Sequence, residues 1–307
     1  MAIFSKSKKD ETSAADDTMA DKTATPRDPE KADAMALEDG TIATGTPHID
    51  PVFEKRLVRK LDRRLLSLVF VLYLLSYLDR SNIGNAKIAG LDTDLNLSSP
   101  DYQWLLTIFY ISYIVFEWLT MMWKLVPSHM WAAFVVIGWG ITATLQSATF
   151  SFSGMMAARF FLGLFEAGFG PGIPYFLSFF YLRHEIGFRT GIYLSAAPLA
   201  TCFAGALAYG ITSDNSPPFA NWRILFLVEG LPCVVAGIVT FFIMPDSPEK
   251  ASFLTAEEKA VARSRALRQV GSAEAHRVGK IDWADIRAAL LDAKNYFTAL
   301  MYFSCNV

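Results

Sequence analysis

Charge is spread so unevenly along this chain that its distribution marks a membrane protein rather than a globular core. Of the 58 charged residues, only 16 lie in the 181 positions from Leu65 to Pro245, and the other 42 crowd into the remaining 126. The poor stretch breaks into six apolar segments of roughly 20 residues, the length that crosses a hydrocarbon core of about 30 Å. Their approximate bounds are 65–88, 104–125, 131–150, 156–181, 190–211 and 223–244. The fold class expected is an all-α membrane protein built on a six-helix bundle.

The flanks are polar. Residues 1–50 hold 11 acidic and 6 basic residues and almost no aromatics. Such a segment cannot bury enough apolar area to offset its ordering entropy. The expected domains are therefore a disordered cytoplasmic tail over 1–52, a six-span bundle over 53–245, and a cytoplasmic loop over 246–295 with an amphipathic surface helix across 249–270. A seventh apolar segment opens at Tyr296 and runs 12 residues to Val307. That is too short to span, so the reading expects a truncated start of a seventh helix and a missing C-terminal half.

Lys and Arg in the loops set the orientation. Six precede the first span (Lys55, Arg56, Arg59, Lys60, Arg63, Arg64), and nine follow the sixth between Lys250 and Lys294. The intervening loops alternate, with Lys124, Arg183 and Arg189 on one side and Lys87 among Asp92, Asp94 and Asp101 on the other. The N-terminus and the 246–295 loop are expected in the cytoplasm.

Several function classes find no support. The four histidines, His48, His129, His184 and His276, show no metal-ligand spacing, so no metal site or metal-dependent hydroxylase is expected. Gly279-Lys280 is followed by Ile281 and lacks the upstream glycine of a phosphate-binding loop. No G-x-S-x-G occurs, and Met1 to Asp50 holds no apolar stretch that reads as a signal peptide. Net charge −2 gives no basic face for nucleic acid. Cys202, Cys233 and Cys305 lie in apolar stretches and read as small hydrophobes.

The charges inside the spans carry the functional information, because an ionised group at the bilayer centre costs at least ~2.5–3.5 kcal/mol. Asp79, Arg80, Asn82 and Asn85 form a polar stripe on the first span. It reads either as a site in the outer half or as the interfacial end of a short span. Arg159 and Glu166, seven residues apart, share a face of the fourth span with Gly163 between them. They read as a site or as a pair that fixes packing. Below them Pro171 and Pro174 remove two backbone donors and break the helix, a transporter habit. Gly168 and Gly172 fit a close-packing motif equally well. Glu117 and Glu229 read as structural partners, Glu229 pairing with Arg223.

In these motifs the chain resembles the major facilitator superfamily. Within it, it is similar to the anion:cation symporter branch and its fungal allantoate/nicotinate-permease-like group. The matching stretches are YLDRSNIGNA at Tyr77–Ala86, YISYIVFEW at Tyr110–Trp118 and ARFFLGLFEAGFGPGIPYFLSFFY at Ala158–Tyr181. RHEIGFRTGIYLSAAP at Arg183–Pro198, NWRILFLVEGLP at Asn221–Pro232 and PDSPEKASFLTAEEK at Pro245–Lys259 complete the set. The loop between spans two and three, TMMWKLVPSH, departs from the family's glycine- and basic-rich signature. Span five lacks the G-P-x-x-G-G of its antiporters.

The resemblance implies a transporter and not an enzyme, with spans one and four related by an inverted repeat and lining a cavity. It implies a small organic anion held by Arg80, Arg159 and Asn82, and proton coupling through Asp79 and Glu166. Gly163, Pro171, Pro174, Glu117 and Glu229 then have structural or gating roles. The only coupling agent is a proton, with no cofactor, and the location is the plasma membrane. Arg80 or Arg159 is expected to be neutralised by Asp79 or Glu166 until an anion competes. The rival readings are a non-transporting truncated membrane protein or partner subunit, a seven-helix receptor and a membrane enzyme. No catalytic constellation supports the last.

Overall fold

A computed structural model describes residues 50–213, 219–270 and 283–306. Of the tail expected to be disordered, only Asp50, Pro51 and Val52 fall within them, and these already open a helix. The rest of 1–52, the Asp214 loop and the stretch 271–282 lie outside the described residues. Among the described residues there are helices and no strands.

The first helix, α1 (Pro51–Leu61), starts where the Asp50 carboxylate accepts the Val52 N–H at 2.9 Å, with Pro51 in the first turn. It runs through a π-helical turn, Asp62–Leu66, straight into α2 (Ser67–Ile88). A left-handed Gly90 turns the chain into the short α3 (Leu91–Asp94). A Ser98–Asp101 capping box then opens α4 (Ser99–Phe116). This helix tightens to 3₁₀ over Glu117–Met121 and ends as α5 (Met122–Leu125). Next come α6 (Ser128–Gln146) and α7 (Phe152–Ala167), the latter capped by Ser151. A 3₁₀ turn, Gly170–Gly172, leads to α8 (Ile173–Leu177). The bundle is completed by α9 (Arg183–Leu194), α10 (Ala196–Thr212) and α11 (Asn221–Ile243).

Among the described residues, five helical stretches are long and apolar enough to cross a membrane: 99–125, 128–146, 152–177, 183–212 and 221–243. The expected first span, α2, is long enough at 22 residues but is not among them. Asp79, Arg80, Asn82, Asn85 and Lys87 lower the apolar character of its second half. Beside an apolar core, the burial pattern departs from that of a water-soluble fold. Asp79, Arg159, Glu166 and Glu229 are buried while Ile114, Phe134, Phe203 and Phe242 are exposed. Apolar side chains facing out and ionisable ones facing in is the arrangement a bilayer solvent selects.

Packing follows a two-fold scheme. Counting α2, α4 and α6 as spans one to three, and α7–α8, α9–α10 and α11 as four to six, the first packs on the fifth and sixth. The fourth packs on the second and third, and the third on the sixth. Exchanging the two trios leaves this scheme unchanged. The α6–α11 seam is close because Gly140 and Gly230 lie against the partner backbone. A Cβ on Gly230 would meet the Thr144 nitrogen at 2.6 Å, and one on Gly140 the Val234 nitrogen at 2.7 Å.

The break after Ala167 is held by side chains. Pro171 offers no N–H to the Ala167 carbonyl, which accepts from the Thr120 hydroxyl at 3.4 Å. The Gly168 carbonyl accepts from the indoles of Trp123 (2.8 Å) and Trp131 (3.1 Å). In a low-dielectric setting an open carbonyl costs several kcal/mol, so these donors are what make the break tolerable. Gly172 packs against the Trp123 ring, so Gly172 serves packing and Pro171 and Pro174 serve the break.

The loop helix is shorter than the amphipathic surface helix expected over 249–270. It is α12 (Ala256–Val270), docked against α1 with Ala262 and Arg265 buried. Two further helices follow, α13 (Trp283–Leu291) and α14 (Ala293–Asn306). The stretch from Tyr296, expected as the start of a seventh helix, lies within α14, with exposed side chains from Tyr296 to Phe303.

Candidate functional site: a buried charge cluster

Four elements converge on the middle of the bundle. On α2, Ser76, Asp79 and Arg80 lie within two turns, and on α7, Arg159, Gly163 and Glu166 share a face. Gly163 admits the neighbouring helix: an added Cβ would collide with the Ser112 hydroxyl and the Phe109 carbonyl of α4. This close approach brings α4 aromatics beside the charges.

Arg80 crosses from α2 to α7. Its Nη2 and Nε donate to Glu166 Oε2 at 2.7 and 3.2 Å, and the Ser76 hydroxyl donates to the same oxygen at 3.2 Å. Three rings surround the guanidinium: Tyr77 at 4.9 Å, Tyr113 at 5.0 Å and Phe109 at 5.2 Å. Aromatic faces attract a cation most where it is desolvated. Arg80 is thus fixed by one carboxylate oxygen and three rings, and its side chain keeps 21% of its surface exposed.

The other expected partners separate. Asp79 does not pair with Arg80; its Oδ2 accepts from the Cys233 thiol of α11 at 3.0 Å. Arg159 is 1% exposed and lies within electrostatic reach of Glu166 and Asp79, yet its Nε and Nη2 have no partner. Both polar atoms of Asn82, Oε1 of Glu166 and both oxygens of Glu229 are also buried without partners. The pairing expected between Glu229 and Arg223 is absent. Arg223 instead donates to the Ser147 carbonyl (2.7 Å) and to Asp94 (3.5 Å). Glu117 sits exposed in the 3₁₀ turn, away from the cluster's hydrogen bonds.

Sequence reasoning missed Ser76, Tyr77, Phe109, Tyr113 and Cys233. Helical spacing held the signal: Tyr77 precedes Arg80 by three residues, and Phe109 and Tyr113 are four apart. Chemically, the cluster offers two guanidiniums and three carboxyls in one largely buried place, with donors and acceptors left open on both kinds of group. No group of His, Cys, Asp and Glu that could hold a metal occurs among the described residues.

Comparison with known proteins agrees with this architecture. The family model described as Major Facilitator Superfamily matches residues 69–306. An uncharacterized transporter of Schizosaccharomyces pombe is 35% identical over 277 residues, covering 89% of this chain and 55% of its own length. The major facilitator-type transporter hxnP of Emericella nidulans is 35% identical over 258 residues, covering 81% of this chain and 52% of its own. The chain therefore spans about half the length of the curated relatives it matches. Among solved structures, a bacterial homolog of the human lysosomal transporter Spinster, inward-facing and occupied, aligns with a TM-score of 0.51 at 22% identity. That alignment covers 62% of this chain and 45% of the other, and at this identity it speaks for the fold alone. An inside-out charge pattern, a two-fold helix scheme and relatives of this kind lead to one conclusion: the chain belongs to the major facilitator superfamily.

Proposed function

We propose that this chain forms the N-terminal bundle of a proton-coupled symporter of a small organic anion, a carboxylate of the size of nicotinate or allantoate. The observation that carries the reading is the Arg80–Glu166 pair, a guanidinium bound to a single carboxylate oxygen inside an apolar bundle. A guanidinium holds a carboxylate best with two parallel bonds. A substrate carboxylate entering beside Arg80 competes with Glu166 for the fork. Glu166, released from Arg80 in low dielectric, gains affinity for a proton. Anion and proton then bind cooperatively, which is the linkage symport requires. Arg159 and Asn82, with open donors, are the further substrate contacts, and Asp79 is the second proton carrier.

Under this reading the N-terminus and the 246–295 segment are cytoplasmic and the membrane is the plasma membrane. Rocking against a second bundle would alternate access. The test is uptake of labelled carboxylates by vesicles holding the complete two-bundle transporter under an imposed pH gradient. Glu166→Gln is expected to retain substrate exchange and lose proton-driven accumulation. Accumulation at the unaltered level by that variant refutes the coupling role.

A further inference from the structure

Outside the bundle core, α1 and the π-helical turn carry a second concentration of charge that the transport reading does not use. Arg56, Arg59, Lys60, Arg63 and Arg64 recur at spacings of three, four, seven and eight residues, which gathers them on one helical face. Leu57, Leu61 and Leu65 hold the adjoining face against the core. The five cations line a single groove of about 660 Å³.

Nearby carboxylates do not neutralise it. Asp62 is engaged by Arg189 at 2.6 and 3.0 Å, and Glu54 by Arg265 at 2.7 Å. Only Lys60 is matched, by Glu258 at 2.6 Å. Arg56, Arg59, Arg63 and Arg64 are exposed and have no carboxylate partner among the described residues. Arg63 and Arg64 lie in the π turn, a geometry frequent at functional sites.

Depth narrows the ligand. Arg64 directly precedes the apolar run of the expected first span, and under the transporter reading it and Arg63 stand at the hydrocarbon edge. Arg56 lies eight residues earlier, about 12 Å farther out along the helix. The headgroup layer is about 5–8 Å thick on each side. A lipid with one phosphodiester meets Arg63 and Arg64 and stops there. Reaching Arg59 and Arg56 takes further phosphates that project outward from the same lipid. Phosphate is also the group that guanidinium forks bind bidentately.

We propose that the Arg56–Arg64 groove is a binding site for the headgroup of a polyphosphorylated inositol lipid, drawn from the leaflet on the α1 side. Arg63 and Arg64 take the diester phosphate, and Arg59 and Arg56 take the ring phosphates. A plain positive flank, as loop-charge rules require, needs neither a groove nor open forks two turns out.

The experiment uses the purified chain in nanodiscs of phosphatidylcholine. One set is doped with phosphatidylinositol bisphosphate and the other with phosphatidylserine to the same total charge, and lipid retained on the protein is read by native mass spectrometry. The expected result is about a tenfold preference for the inositol lipid, near 1.4 kcal/mol. R56Q/R59Q should fall to the phosphatidylserine level while keeping Arg63 and Arg64, which flank the span. R287Q, which removes an exposed cation on α13, should keep the preference. Equal retention of both lipids by the unaltered chain would overturn the proposal, as would an undiminished preference in R56Q/R59Q. Because lipid retention is read without transport, either failure leaves the anion-symport reading untouched.

Discussion

Arginines at the rim of the bundle and arginines in its middle are differently bound. At the rim, Arg265 of α12 gives Nε to Glu54 and Nη2 to both oxygens of Glu185, at 2.6–2.7 Å. Arg189 gives Nε and Nη2 to Asp62 and Nη1 to the Glu185 carbonyl, and stacks on Tyr181 at 4.3 Å. In the middle, Arg80 shares one carboxylate oxygen and Arg159 leaves two nitrogens open. A buried ion pair contributes little net stability even when complete, but breaking a complete one is costly. The rim pairs therefore fix how α1, α9 and α12 sit together. The middle has polar capacity that folding does not use, and this is where a ligand can act.

The comparison can be broken most forcefully at Arg265. Arg265→Ala leaves Glu54 and Glu185 without their shared cation and should destabilise the folded chain by about 3–5 kcal/mol. Thermal unfolding in detergent would read this, and a shift near zero would mean the rim is no tighter than the middle. Gly163→Ala should follow, at about 1–3 kcal/mol, because its methyl runs into Ser112 and the Phe109 carbonyl. The same measurement checks it, and the α4–α7 contact should loosen with it.

A smaller effect belongs to Asp246, which accepts from the His129 backbone (3.2 Å) and ring (2.7 Å) and from Lys250 (3.3 Å). Burial pushes its proton affinity up, but these hydrogen bonds outweigh burial and hold the carboxyl below the usual aspartate range. With the folded-state value depressed, its contribution is present above roughly pH 4 and is lost as the pH falls through that lower value. Asp246→Asn should therefore cost about 0.5 kcal/mol at neutral pH. The gap to the unaltered chain should close in acid, as a pH series of melting curves would show. Least of all should come from Arg159→Met. No hydrogen bond is lost, so melting should stay level or rise, while under the proposed reading anion binding should fall. A melting point lowered as far as that of Arg265→Ala would erase the distinction between the two regions.

Much of the fold was legible because it depends on composition and punctuation. Apolar runs located the bundle, Gly163 announced a close approach, and Pro171 with Pro174 announced a break. The pairing inside the site was less legible, for geometric reasons. Asp79 and Arg80 are adjacent in sequence, and adjacent residues on a helix point about 100° apart. Arg159 and Glu166 share a face but lie about 10.5 Å apart along the axis at 1.5 Å per residue, too far for a direct pair. Glu229 and Arg223 are six residues apart and project from different sides. The partner of each charge lies across a helix interface, as Glu166 does for Arg80, and no spacing within one helix encodes it. The docking of α12 was hidden as well, since Ala262 and Arg265 make too faint an apolar stripe to announce a buried face.

The two-fold packing scheme has a consequence in time. The principal neighbours of spans one to three are spans four to six, and contact between members of the first trio is slight by comparison. During synthesis the first three helices enter the bilayer with their lasting partners not yet made. The glycine seam of α6 waits for Gly230 on α11, and Asp79 waits for the thiol of Cys233, 154 residues downstream. The α6–α11 seam and the Asp79–Cys233 contact can therefore form only after α11 has been made, while span four can already pack on spans two and three.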